Sequence, residues 1–362
     1  MSRATLTLLL TVAIGLFNLV SAAEDNWEYT FRPGDSLWII AEKYTSSVNN
    51  WEELQRINNI APGSAKTILP GTRIVIPISM LKLQPTPALV IAVSGAAYLV
   101  RADGTKADLI IGIELFSGDR VVTGERQTLR LQFADKSELQ VLPNSEVVLD
   151  KLSHFKQTGM VDTRIRLNSG TVKTWVIKQK PGNNYEIRTP AAITAVRGTE
   201  FRLSSDESQI SRAEVIEGLV AVAAGEDEKD VPDGYGIFVE IGKPLSDPVK
   251  LLTAPEVSDN QSADESKLEV SWVKLEAAVF YRYQLSTDAN FDQITIDSRT
   301  EDNRLRLEEL LPGQYFLRVR GVDQFDLEGF DTISRFVIEG QSFEDFYAWK
   351  ATLPFELLQL DL

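Results

Sequence analysis

Hydrophobic positions change period along the chain, and each change marks a different kind of element. Trp27, Tyr29 and Phe31 alternate, which is the period of a half-buried strand. A Pro33-Gly34 turn follows, and then Leu37, Ile40, Ala41 and Tyr44 recur at i, i+3, i+4 and i+7, the apolar stripe of a helix. Asp35 stands where an N-cap belongs, its carboxylate expected to accept from the free amides of the first turn. Trp51, Leu54 and Ile57 give a second helical stripe, with Asn50 and Glu53 spaced as in a capping box. After the Pro70-Gly71 turn, Ile74 and Ile76 alternate again. The pattern predicts strand, helix, helix, strand over residues 27–79, a small α+β unit.

Residues 80–87 carry Pro85 and Pro87 and few structure formers, and read as a linker. Beyond them the period is two. Leu129, Leu131 and Phe133 alternate, as do Leu139 and Val141, then Val147 and Leu149. Turn residues punctuate the strands at Asp135-Lys136-Ser137, Pro143-Asn144-Ser145, Asn168-Ser169-Gly170 and Pro181-Gly182-Asn183. No helical stripe interrupts, so residues 88–245 are expected to be all-β. A polar stretch precedes a further set of alternating strands over residues 254–339, beginning with the one that bears Trp272, and these predict a β-sandwich.

The ends modify this picture. Arg3, an apolar run from Leu8 to Val20, and the small residues Ser21, Ala22 and Ala23 read as a cleavable signal peptide over residues 1–23. No cysteine stands at the cleavage point, so a lipoprotein anchor is not expected, nor a transmembrane span after cleavage. The chain has no cysteine at all, and an exported protein without disulfides must rest on packed cores. At the other end, residues 340–362 are apolar, with Phe343, Phe346, Tyr347 and Trp349 expected to dock within the chain.

The net charge of −15 argues against nucleic acid as a partner, because phosphate binding needs a basic face. The acidic excess is concentrated after residue 250 and reads as a solvated surface. In particular Asp323, Asp326, Glu328 and Asp331 match no calcium-loop spacing and read as a solvated turn. His154 is the sole histidine, in a stretch read as turn-like. One histidine and no cysteine leave no cysteine nucleophile and no site needing two histidine ligands. Two carboxylates suffice for glycoside hydrolysis, but no motif nominates a pair among 52 acidic residues. Neither an enzyme nor a cofactor is expected, and no metal site.

"YTFRPGDSLWIIAEKY", "WEELQRINNI" and "ILPGTRIVIP", in that order, resemble a LysM domain over its whole length. The resemblance implies binding of N-acetylglucosamine glycans, peptidoglycan or a related polymer, in a shallow groove. Carried over by position, one wall is Gly34, Asp35, Ser36 and Leu37, and the other Asn59, Ile60, Ala61 and Pro62. Independently of the family, a glycine turn lets backbone groups approach a sugar closely, and Leu37 and Ile60 could flank acetamido methyls. Trp38 and Trp51 read as packing aromatics.

"LFSGDRVVTGERQTLRLQFADKSELQVLPNSEVVL" and "IRTPAAITAVRGTEFRL" are similar to the FecR family over residues 88–225. That family's usual Asp-Gly-Ser turn is Asp135-Lys136-Ser137 here, which costs on the order of 1 kcal/mol if Lys136 needs a positive φ. Arg197 and Gly198 mark a corner in which the guanidinium is expected to satisfy buried carbonyls or meet Glu200. Trp272, Tyr283, Leu310, Pro312, Gly313, Tyr315 and Val319 resemble a fibronectin type III domain. The expectation is a periplasmic or secreted, non-catalytic glycan-binding protein whose β domains serve as scaffold and leave room for an envelope protein partner. Two alternatives stand beside it. One is a FecR-like signalling regulator, disfavoured because only seven residues precede the apolar run; the other is an unrecognised cell-wall hydrolase.

Overall fold

The computed structural model describes residues 26–339, apart from 65–66, 157, 180–181, 197, 259–261 and 265–266. The expected signal peptide, the apolar tail and Arg197 lie outside the described residues. The chain falls into two compact units divided after Leu81, each described by itself.

In the first unit, β1 (Asn26–Thr30) pairs antiparallel with β2 (Arg73–Pro77), with α1 (Leu37–Tyr44) and α2 (Asn50–Ile57) between them. The apolar stripe of α1 is buried as expected, and so are Leu54 of α2 and Ile74 and Ile76 of β2. Trp27, Tyr29 and Tyr44 gather in a ring cluster with centroids 5.0–5.7 Å apart. The unit runs past residue 79: Leu81 is buried and bridges to Thr45.

Two caps differ from the sequence expectation. Ser36, not Asp35, is the N-cap of α1, its Oγ accepting from the Ile39 amide at 3.1 Å. Asn49 precedes α2 in helical conformation and makes no side-chain cap bond, so there is no capping box; Glu53 pairs with Arg56 instead.

The second unit opens with a closed barrel. One of its two sheets runs Lys106–Asp108, Tyr98–Val100, Arg120–Thr123, Ser145–Phe155, Met160–Trp175, Asn184–Arg188, Ile193–Val196, Leu219–Ala224, Asp227–Pro232. The other runs Glu114–Leu115, Ala88–Ser94, Thr128–Gln132, Glu138–Val141, Met160–Trp175, Glu200–Ser205, Ile210–Glu217, Tyr235–Glu240, Val249–Lys250. Met160–Trp175 belongs to both. The expected turn at Asn168-Ser169-Gly170 is therefore not a turn: the strand continues through it and changes sheet there. Gly170 has φ +90°, and a Cβ on it would lie 2.5 Å from the Ser145 Cα, a clash only glycine avoids.

Leu129, Leu131, Leu139, Val141, Val147 and Leu149 fill the barrel core as their alternation predicts. Lys136 does take φ +73° in its hairpin. His154 lies within the strand Ser145–Phe155, not in a turn. The stretch read as a linker is only partly one, since Leu83–Pro85 pairs with Ser153–Phe155.

The sandwich has a three-stranded sheet, Ser262–Asp264, Lys267–Ser271 and Arg304–Leu307, and a four-stranded one, Ile294–Thr300, Phe280–Ser286, Gly313–Val322 and Thr332–Ile338. Trp272 is buried against Tyr281 with centroids 5.2 Å apart. The Tyr315 hydroxyl donates to the Leu311 carbonyl at 2.9 Å, the tyrosine corner of such sandwiches.

Candidate functional site

The first expected wall is the turn that opens α1. Gly34 has φ +87° and nothing within 4 Å of where a Cβ would sit, so the turn needs glycine for its backbone and stands open to solvent. Asp35 faces back into the unit. Its Oδ2 accepts from the Tyr29 hydroxyl and from the Arg32 amide, each at 2.7 Å, tying the turn to β1. Burial and that carboxylate push the Tyr29 phenol above its ordinary range. Ser36 is spent on capping. Leu37 is core, 1% exposed, and does not present itself to a sugar methyl.

The second expected wall is the exit from α2. Asn59 has φ +53°, its amide bonded to the Arg56 carbonyl, while the Ile60 amide reaches the Gln55 carbonyl at 3.0 Å. This is a Schellman stop with asparagine in the left-handed position. Ile60 is half-buried; Ala61 and Pro62 are exposed. Asn58, which the sequence reading passed over, pins α2 to β2. Its side chain receives the Val75 amide at 2.7 Å and donates to the Val75 and Leu54 carbonyls, each at 2.8 Å. Trp38, read as packing, is 50% exposed beside Ser36.

Residues 29–77 match the LysM domain model. Residues 119–221 match the FecR protein model. A search of curated proteins finds no match for the chain. Among solved structures, one described as an anti-sigma factor from Parabacteroides distasonis is 14% identical over 36% of this chain and 59% of that one, with a TM-score of 0.30. The chain thus spans less than two thirds of that protein's length. A structure named FN3tt is 14% identical over 24% of this chain and 98% of its own, TM-score 0.20. The FN1-FN3 domains of chicken CNTN1 are 11% identical over 71% of this chain and 98% of their own, TM-score 0.21.

The LysM match, the FecR match and the β-sandwich with its tyrosine corner follow one another along the chain. Between barrel and sandwich lies a dense set of buried charges among the described residues, and it corrects the reading of Asp323, Asp326, Glu328 and Asp331 as a solvated turn: Glu328 is buried and, with Asp331, ion-paired there, while Asp323 and Asp326 stay half-exposed. The outer side of the barrel's second sheet faces the outer side of the sandwich's four-stranded sheet. From the barrel, Arg202 Nη2 donates to the Glu328 and Gly329 carbonyls at 2.5 and 2.7 Å. Arg130 Nε donates to Asp292 at 2.8 Å, and Gln140 donates to the Phe291 carbonyl at 2.7 Å. Phe238 stacks on Phe325 at 5.0 Å.

From the sandwich, Arg282 holds Asp297 with both arms of its fork, at 2.8 and 2.7 Å, and donates to Glu328 at 2.6 Å. Arg318 and Arg320 share the Gln284 Oε1, and Arg320 Nε is 3.1 Å from Glu328. Asp331 sits 3.1 Å from Arg320 and 3.5 Å from Arg202. Burial alone would raise Glu328, but Arg282, Arg320 and Arg202 hold it well below the carboxylate range. Burial brings Arg318 down to about 9, against the attraction of Asp331 and with repulsion from Arg320, Arg202 and Arg282 added. Glu200, named as a partner for Arg197, is bonded to Lys173 at 2.8 Å.

Proposed function

We propose that this is an exported, non-catalytic protein of the bacterial cell envelope that holds an N-acetylglucosamine glycan, peptidoglycan first, through its LysM unit. The observation that carries the reading is the LysM match across nearly the whole first unit, together with the open glycine turn at Gly34. The family is a non-catalytic one, and among the described residues no helix is long and apolar enough to cross a membrane. The domain limits that go with this reading are 27–79, 88–245 and 254–339, extended to take in Leu81 in the first and Leu83–Pro85 and Val249–Lys250 in the second. Of the eight candidate residues, Gly34, Asn59, Ala61 and Pro62 are exposed and are assigned the direct contacts. Asp35, Ser36 and Leu37 shape the turn, and Ile60 stands half-buried at the rim.

The test is co-sedimentation of the full chain with purified peptidoglycan. The wild type is expected in the pellet, and Gly34→Trp in the supernatant with its helical signal retained. A folded wild type that stays in the supernatant overturns the reading. Soluble muropeptides released from the pellet would point to a hydrolase instead. The FecR match favours a second reading, an envelope signalling relay in which the barrel and sandwich meet a partner protein. Recovery of the chain in the inner membrane with its N-terminus uncleaved would support that reading.

A further inference from the structure

Most carboxylates in the layer between barrel and sandwich have a short, charged partner. Glu214, on the barrel strand Ile210–Glu217, does not. Among the described residues its nearest cation is Arg202 Nε on the neighbouring strand, at 3.5 Å, and its one hydrogen bond comes from the Glu328 amide of the sandwich at 3.3 Å. The surrounding groups are committed elsewhere. On its own strand Arg212 is paired with Asp206 at 2.8 Å and bonded to the Phe325 carbonyl at 2.9 Å. Arg202 spends Nη2 on two sandwich carbonyls, and its Nε and Nη1 make no hydrogen bond. On the sandwich, Arg282 holds Asp297 and Glu328, Arg320 lies against Glu328 and Asp331, and Arg299 is paired with Asp326 at 2.7 Å.

Glu214 and Glu328 thus face one another across the boundary of the two bodies, and Glu328 has the closer arginines. Both line one cavity of about 170 Å³ with Arg212, Arg282, Arg299 and Asp326. Two carboxylates that share a buried site and unequal cations do not both stay ionised; the proton goes to the less compensated one. We propose that docking of the sandwich on the FecR barrel takes up one proton, held by Glu214, so that acidification tightens the pair.

The direction follows from the burial of this group. Burial pushes Glu214 up to about 7 against an ordinary value of 4.5, Arg202 opposing the rise and Glu328 adding to it. A carboxyl raised in the docked state contributes fully below its ordinary value, and that contribution is lost as pH rises through the docked value. Glu328 and Asp331 are depressed, so theirs is lost only on the acid side of the ordinary range. Asp292 of the same layer is raised as well, by burial first, and it is present in wild type and variant alike. The inference does not depend on the glycan reading.

The experiment is urea unfolding of the full chain at a series of pH values from about 5 to about 8, wild type against Glu214→Gln. The wild-type opening constant should rise roughly tenfold per pH unit between about pH 5 and about 7 relative to the variant. Groups common to both proteins, Asp292 included, cancel in that difference. Parallel pH profiles overturn the proposal. Should the variant fail to fold, infrared spectroscopy of the wild type near neutral pH decides: a protonated carboxyl stretch is expected, and its absence overturns the proposal.

Discussion

Asn58 shows how one side chain can do the work of a strand edge. With its amide oxygen on the Val75 N–H and its amide nitrogen on the Val75 and Leu54 carbonyls, it joins a helix terminus to β2 through three hydrogen bonds. Asn58→Ala leaves the two Val75 groups without those partners and should lower the stability of the LysM unit by about 2–3 kcal/mol, read from its thermal or urea unfolding. Nothing in the pattern around Asn58 announces this, because the partner lies 17 residues away and polar residues after a helix usually face water. Ser36 and Asp35 were confused for a related reason. Both suit an N-cap, and only the fold shows that the aspartate is drawn off by Tyr29, leaving the serine to cap.

Elements were legible wherever one face of a strand or helix is buried and the other is wet. The stripe Leu37, Ile40, Ala41, Tyr44 is of this kind and is buried where expected; the alternations from Leu129 to Leu149 are buried as expected too, although the sandwich covers Arg130 and Gln140 on their other side. What the period did not show is where the second face is covered. Ile210–Glu217 is buried along most of its length, and Gly313–Val322 along its second half. Their arginines and glutamates occupy the positions that ordinarily point to solvent. A second sheet laid over them leaves no trace in the period of either strand. The shared strand Met160–Trp175 was missed on other grounds, its Asn168-Ser169-Gly170 being turn chemistry in a chain that does not turn. There Gly170→Ala would drive a Cβ to 2.5 Å from the Ser145 Cα and 2.6 Å from the Asn144 carbonyl oxygen. A loss of about 3 kcal/mol or more is expected in denaturant unfolding, from the clash and the left-handed backbone together.

At the scale of the whole second unit, barrel and sandwich are held by charges more than by an apolar seam. Leu142 against Phe291 and Ile294, and Phe238 stacked on Phe325, add apolar contact beside them. A layer of this kind tolerates poorly the loss of one member. Arg202→Ala takes from Glu214 its nearest cation, leaves Asp331 to Arg320 and Arg318, and removes both carbonyl contacts to the sandwich, and should cost about 3–5 kcal/mol in unfolding of the full chain. The FecR match alone would have left the barrel's second sheet as the obvious place for another protein to bind. That face is already occupied by the chain's own C-terminal third, and any outside partner has to use what remains.

The position of that layer in the chain sets a timetable. Every barrel strand precedes the sandwich in sequence, so a polypeptide emerging from its N-terminus can complete the barrel while Arg130, Arg202 and Glu214 still face water. They must keep their hydration until residue 331 has arrived, and only then shed it together. Being charged, the waiting face is soluble during that interval, whereas an apolar one of the same extent would invite aggregation.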